Sequence, residues 1–154
     1  MALVSVLPDG LAVNEEVLVD NKLYLISNTE GINKKKPLIF REMGSATRRE
    51  MENYFQKKSK RERGRIELTS NEAVKQAVIA GIGHSILPII GIKNELEKKE
   101  LHIINRKGLP ITTQWRVIWL KDKELSPVAN AFISYLKENK EEILENKFRW
   151  YKNY

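Results

Sequence analysis

Between positions 37 and 104 the chain alternates short apolar runs with stretches whose apolar residues recur at helical spacing, and this rhythm restricts the fold more than any other feature. Strand patterns are expected over 37–40, 65–68, 85–87 and 101–104. Between them, helical patterns run from Ser45 to about Gly64, from Thr69 to Gly81 and from Pro88 to about Glu100. Regular alternation of this kind argues for an α/β domain with a parallel or mixed sheet covered by helices on both faces. Such sheets bind ligands where strand ends meet helix starts.

One of those junctions carries an explicit signal. In Phe40-Arg41-Glu42-Met43-Gly44-Ser45-Ala46-Thr47-Arg48 an apolar strand breaks at a glycine and a helix opens on two hydroxyl residues. The first backbone N–H groups of a helix have no partners inside it, and with the positive end of the helix dipole they favour an anion. Thr47 and Glu50 also stand at capping-box spacing, so plain capping uses the same atoms. Arg41 and Arg48 could face a ligand's charge, but pairing with neighbouring glutamates is the more economical role.

The remaining segments fit around this centre. Strands are expected over 2–6, 17–19 and 22–26, with a turn at Pro8-Asp9-Gly10 after the first. A chain that leads straight into a buried-looking strand suggests that an upstream part of the fold is absent. In the second helix Thr69 and Glu72 have capping-box spacing, and Gly81-Ile82-Gly83 closes it. Pro88 opens a helix that sends Ile92 and Leu96 to the core. The stretch 111–120 is long for a core strand and suits a crossing between lobes, with Trp115, Val117 and Trp119 on one side. Ser126-Pro127 starts a last helix whose apolar face is Val128, Ala131, Phe132, Tyr135 and Leu136.

Composition removes several function classes. The 154 residues include no cysteine and two histidines, which excludes disulfides and thiolate metal sites and argues against a zinc cluster. No cofactor or metal is therefore expected. No stretch approaches the roughly 20 apolar residues of a membrane span, and a cytoplasmic, membrane-free protein is expected. The net charge of +7 is concentrated in Lys57-Lys58-Ser59-Lys60-Arg61-Glu62-Arg63-Gly64-Arg65, which reads as a solvated helix terminus more readily than as a DNA footprint. Catalysis has no motif: there is neither a nucleophile elbow nor a glycine loop with the P-loop lysine, and no enzyme is expected.

Taken together, Ala2-Leu3-Val4-Ser5, Leu23-Tyr24-Leu25-Ile26, Arg41 to Arg48, Asn71-Glu72-Ala73-Val74-Lys75-Gln76-Ala77-Val78, Ala80-Gly81-Ile82-Gly83 with Leu87-Pro88, and Leu125-Ser126-Pro127 with Ala131-Phe132 resemble the effector-binding domain of LysR-type transcriptional regulators. They resemble most the branch that regulates carbon-fixation genes. The resemblance implies an α/β, type 2 periplasmic-binding-protein-like fold: a second lobe over 27–110, with 1–26 and 111–154 supplying crossover strands and the remnant of a first lobe. It implies a sensor of a small polar or anionic metabolite, working as a homo-oligomer and reaching DNA only through a helix-turn-helix domain that these residues do not contain. A stand-alone solute-binding or interaction protein of the same fold is the alternative. By matching positions the ligand-contacting residues would be Gly44, Ser45, Ala46 and Thr47, with Gly81, Gly83 and His84 from the glycine loop. Ala46 replaces a residue that is often glycine in the family, and His84 stands where small or apolar residues are common.

Overall fold

The computed structural model describes residues 1–8, 10–56 and 64–154, except for the side chains of 151 and 152. Asp9, of the expected turn, and residues 57–63, most of the basic run, lie outside the described residues. The chain divides into two compact units, Lys22–Thr112 and Met1–Asn21 with Thr113–Tyr154. The division falls inside two long strands, so each of these belongs partly to both units.

In the Lys22–Thr112 unit, β3 (Leu38–Arg41) lies parallel to β4 (Arg65–Leu68), with Leu38 opposite Arg65 and Arg41 opposite Leu68. β5 (Ser85–Pro88) joins the other side of β3 through a parallel bridge between Leu38 and His84. It then pairs antiparallel with the second half of β2 (Val13–Ser27), Leu23 opposite Pro88 and Ile26 opposite Ser85. β6 (His102–Ile103) borders β2 as well. The sheet is thus mixed.

Helix α1 (Ala46–Gln56) connects β3 to β4, and α2 (Asn71–Ile79) connects β4 to β5. Met51 of α1, 1% exposed, packs among Leu23, Leu25, Leu38, Phe40, Ile86 and Ile104. Strand alternation sends Tyr24, Ile26, Ile39 and Leu87 to the opposite face, where the fully buried Val74 and Val78 of α2 belong. Helices on both faces of a mixed sheet are the architecture that the alternating pattern requires.

Local chemistry sets several boundaries differently from the sequence reading. The runs at 17–19 and 22–26 are one strand of 15 residues, because the polar Asn21 between them is tied into the sheet: its amide donates to Thr113 Oγ1 at 3.1 Å and the Thr113 hydroxyl donates to the Asn21 carbonyl, although its buried Oδ1 has no partner among the described residues. The cap of α2 is Ser70, whose Oγ accepts from Ala73 N at 3.0 Å, while Glu72 pairs with Lys75 and Gln76 and leaves the Thr69 box unformed. Pro88 closes β5 in extended conformation, followed by a 3-10 turn, Ile89–Gly91, and the short α3 (Lys93–Glu97).

In the other unit, β7 (Ile111–Leu120) lies between β1 (Ala2–Val4) and β2. β1 is antiparallel to β7, with Leu3 opposite Val117. Ser126 caps α4 (Pro127–Phe148) through its Oγ to Ala129 N. The expected apolar face of α4 is turned outward: Val128 is 80%, Tyr135 57% and Phe132 45% exposed, Ala131 is also exposed, and the buried residue of this helix is Ile133.

Candidate functional site

The parallel register of β3 and β4 brings their carboxyl ends side by side, and both strands then turn directly into helices. After Arg41 the chain makes a turn closed by Ser45 N–H donating to the Glu42 carbonyl at 3.2 Å. Gly44 sits at φ +86°, a conformation that side chains rarely adopt, and a Cβ there would meet nothing within 4 Å. The glycine is needed for the backbone angle and not for a close neighbour.

Ser45 is the cap of α1: its Oγ accepts from Arg48 N at 3.4 Å and its carbonyl from Arg49 N at 3.1 Å. Thr47 therefore lies one position inside the first turn, and the Thr47–Glu50 capping box does not form. Beside it, after Leu68 of β4, Ser70 caps α2 with Asn71 as first residue. Two helix starts, with the hydroxyls of Ser45, Thr47 and Ser70, thus share one edge of the sheet. The sequence reading named both starts but assigned ligand contact to the first alone and capping to the second.

The two arginines of this edge are already engaged. Arg41 donates from Nε and an Nη to the Glu42 carboxylate, both at 2.7 Å, and its other Nη donates to Asn71 Oδ1. Arg48 pairs with Glu52 and Glu67 and also donates to the Arg41 carbonyl. The Arg41 hydrogen bonds hold the Glu42 carboxyl at about 2, well under the ordinary carboxylate value. Glu67 and then Glu52 raise the Arg48 value in the same way, against the cost of burial. The edge offers oriented N–H and O–H donors around neutralised guanidiniums, which suits one small anion or polar group. Among the described residues no group of three or more His, Asp or Glu side chains is placed to hold a metal.

Gly81, Gly83 and His84 are placed elsewhere. They precede β5, which is parallel to β3, so they lie at the opposite end of the sheet from Gly44, Ser45, Ala46 and Thr47, separated by the roughly 13 Å length of β3. Gly81, at φ +73°, ends α2 in a Schellman arrangement, with Ile82 N donating to Ala77 O and Gly81 N to Val78 O. A Cβ on Gly83 would stand 2.5 Å from the Pro37 carbonyl oxygen. His84 is 1% exposed, its Nε2 lies 3.1 Å from the Asn33 carbonyl, and its backbone joins β3 on both sides. These three residues close a helix and seat one strand against another.

Residues 33–141 match the model of the LysR substrate binding domain. The chain belongs to this family. Among LysR relatives, the HTH-type transcriptional activator CmpR of Synechocystis sp. is 34% identical over 140 residues, covering 84% of this chain and 46% of that protein. The RuBisCO operon transcriptional regulator of Allochromatium vinosum is 33% identical over 147 residues, 88% of this chain and 49% of that regulator. The chain spans about half the length of these relatives, which place it in the carbon-fixation branch. The Synechocystis CcmR regulatory domain, solved in complex with 2-PG, superposes with a TM-score of 0.80 at 32% identity, over 90% of this chain and 72% of that one. The HypT regulatory domain of Salmonella typhimurium, at 18% identity and TM-score 0.73, shares the fold. That fold is the type 2 periplasmic-binding-protein-like fold of LysR effector domains.

Proposed function

We propose that this LysR domain senses a small anionic metabolite at the paired helix starts of α1 and α2, and that in the intact regulator this binding adjusts transcription through a DNA-binding domain. The observation that carries the reading is that the helix starts capped by Ser45 and Ser70, with Thr47 in the first turn of α1, stand side by side at the carboxyl ends of β3 and β4 and are linked by the Arg41–Asn71 hydrogen bond. With Arg41 and Arg48 held by Glu42, Glu52 and Glu67, ligand charge is met by backbone amides, hydroxyls and the two helix dipoles. The 2-PG in the Synechocystis regulatory domain, a relative at 32% identity, supports an anion of that size. As a sensor, the domain changes output by the difference in its ligand's affinity for two arrangements of the protein. Among the described residues no helix is long and apolar enough to cross a membrane, in keeping with action in the cytoplasm.

Titration calorimetry with 2-PG, inorganic phosphate and short organic acids tests the reading. Ser45→Ala with Thr47→Val removes two hydroxyl donors, and hydrogen bonds to a charged group contribute about 1.5–3 kcal/mol each, so affinity is expected to fall at least tenfold. Circular dichroism of the variant separates that loss from fraying of α1, since an N-cap alone contributes about 1 kcal/mol. Absence of binding by every small anion, or unchanged affinity in the folded double variant, refutes the assignment.

A further inference from the structure

We propose that the amino ends of β3 and β4 form a surface that holds the phosphate backbone of duplex DNA whatever its sequence, a contact additional to that of a DNA-binding domain. Because the two strands run parallel, the segments that precede them arrive at the same end of the sheet. Before β3 stands Lys34-Lys35-Lys36-Pro37, and before β4 the basic run from Lys57 to Arg65. Gly64 joins the two: its carbonyl accepts from Leu38 N at 2.9 Å, and a Cβ on it would stand 3.5 Å from Cβ of Pro37. Residues 30–36 and 57–65 hold nine of the chain's 27 lysines and arginines but two of its 20 acidic residues, which leaves 18 of each sign for all the others. The whole net charge of +7 therefore belongs to two segments that β3 and α1 separate in sequence and that the fold joins at Pro37 and Gly64.

The lysine turn is held in place from beneath. Asn33 Oδ1 accepts from Lys35 N at 2.9 Å and the Asn33 carbonyl accepts from Lys36 N at 3.1 Å, and the same carbonyl lies 3.1 Å from Nε2 of the buried His84. Lys34 and Lys35 are exposed, and among the described residues no carboxylate lies within ion-pair distance of Lys34, Lys35 or Lys36. Arg65, by contrast, is taken up by Glu52 and by the face of Phe40, 4.1 Å away. Neither segment offers an apolar anchor: Ile32 packs inward against the core cluster, and residues 57–65 include no apolar side chain. A protein partner would meet charge without a hot spot. A polyanion of high, regular charge density gains from such a surface, because each neutralised phosphate releases counterions. That duplex DNA is the polyanion within reach rests on the regulator reading above. DNA phosphates and the metabolite would not compete, since the proposed metabolite edge lies at the other end of β3.

Fluorescence anisotropy of a labelled duplex titrated with the whole chain, in salt from about 50 to about 200 mM, is the test. Affinity is expected to fall with salt on a log–log slope of about −3 or steeper, at about −0.9 for each phosphate neutralised. Lys34→Gln with Lys35→Gln, which changes two exposed side chains, is expected to flatten that slope by about 2 and to weaken binding at least about tenfold at about 100 mM salt, with circular dichroism unchanged. The charge-matched control, Lys121→Gln with Lys147→Gln, also exposed, is expected to change affinity less than about twofold. Duplexes of unrelated sequence should bind within about threefold of one another. No binding at about 50 mM salt overturns the proposal, as do equal losses in the two double variants or a preference of about tenfold between sequences. Binding to phosphatidylglycerol vesicles and not to the duplex overturns it too, and makes the partner a membrane surface. Calorimetry with inorganic phosphate and 2-PG on the Lys34→Gln, Lys35→Gln protein keeps the two proposals apart. Metabolite affinity is expected to be unchanged there, so that a lost DNA contact leaves the sensor reading standing, whereas a parallel fall would put both ligands on one site and overturn the separate surface.

Discussion

Replacing Gly83 by alanine separates a packing role from a ligand role for the glycine loop. A Cβ at this position would lie 2.5 Å from the Pro37 carbonyl oxygen and 3.0 and 3.2 Å from Cγ1 and Cδ1 of Ile39. The nearest obstacle is backbone and cannot rotate away. That same carbonyl accepts from His84 N at 3.1 Å, and Ile39 N donates to the His84 carbonyl at 2.8 Å, so relief of the clash pulls apart the hydrogen bonds that join β5 to β3. Overpacking costs about 1–3 kcal/mol, and weakening one of these bonds adds about 1 kcal/mol, giving a loss of about 2–4 kcal/mol. For a chain of this size that corresponds to a fall in melting temperature of roughly 5–15 °C. Urea denaturation followed by circular dichroism measures it, with Gly91→Ala as control, since a Cβ there meets nothing within 4 Å. A Gly83→Ala protein within about 0.5 kcal/mol of the parent would show that β5 is not seated as described.

Other outcomes follow from single contacts. Lys99 holds φ +59° at the end of α3, where Glu100 N donates to Glu95 O and Lys99 N to Leu96 O, so Lys99→Gly is expected to stabilise by about 0.5–1 kcal/mol in the same denaturation assay. Met51→Ala empties the centre of the cluster formed by Leu23, Leu25, Leu38, Phe40, Ile86 and Ile104 and should cost about 2–5 kcal/mol. The Glu42 carboxyl, held at about 2 by Arg41, stabilises the fold above the ordinary carboxylate value, and that contribution fades as pH falls from there toward about 2. The stability difference between the parent and Glu42→Gln should therefore shrink across that acid range in parallel melts; a constant difference would contradict the pairing.

The order of elements from β3 to β5 is legible in the sequence because local signals agree there. Apolar runs give way to helical spacing, Gly44 supplies the positive φ, and Gly81 ends α2. Ser45 as a helix start is legible for the same reason. What the sequence conceals is which loops meet, since that depends on strand register. Gly44 and Gly83 look alike as glycines beside strands, yet Gly44 follows a strand and Gly83 precedes a parallel one, which sends them to opposite ends of the sheet. For the proposed site that order is a usable clue, because open α/β sheets bind at the carboxyl ends of their strands. The same clue points to Ser70 and Asn71 after β4. For α4, periodicity shows an apolar stripe but not the side on which the sheet lies, and Ile133 was buried in place of Phe132.

Backbone amide chemical shifts, followed during titration with inorganic phosphate and 2-PG, address the binding edge itself. The amides of Ser45, Ala46 and Thr47, together with Asn71 and Glu72 at the neighbouring helix start, are expected to move on saturation, while those of Gly81, Gly83 and His84 stay in place. Perturbation concentrated at Gly81 to His84, with the start of α1 unmoved, would contradict the account.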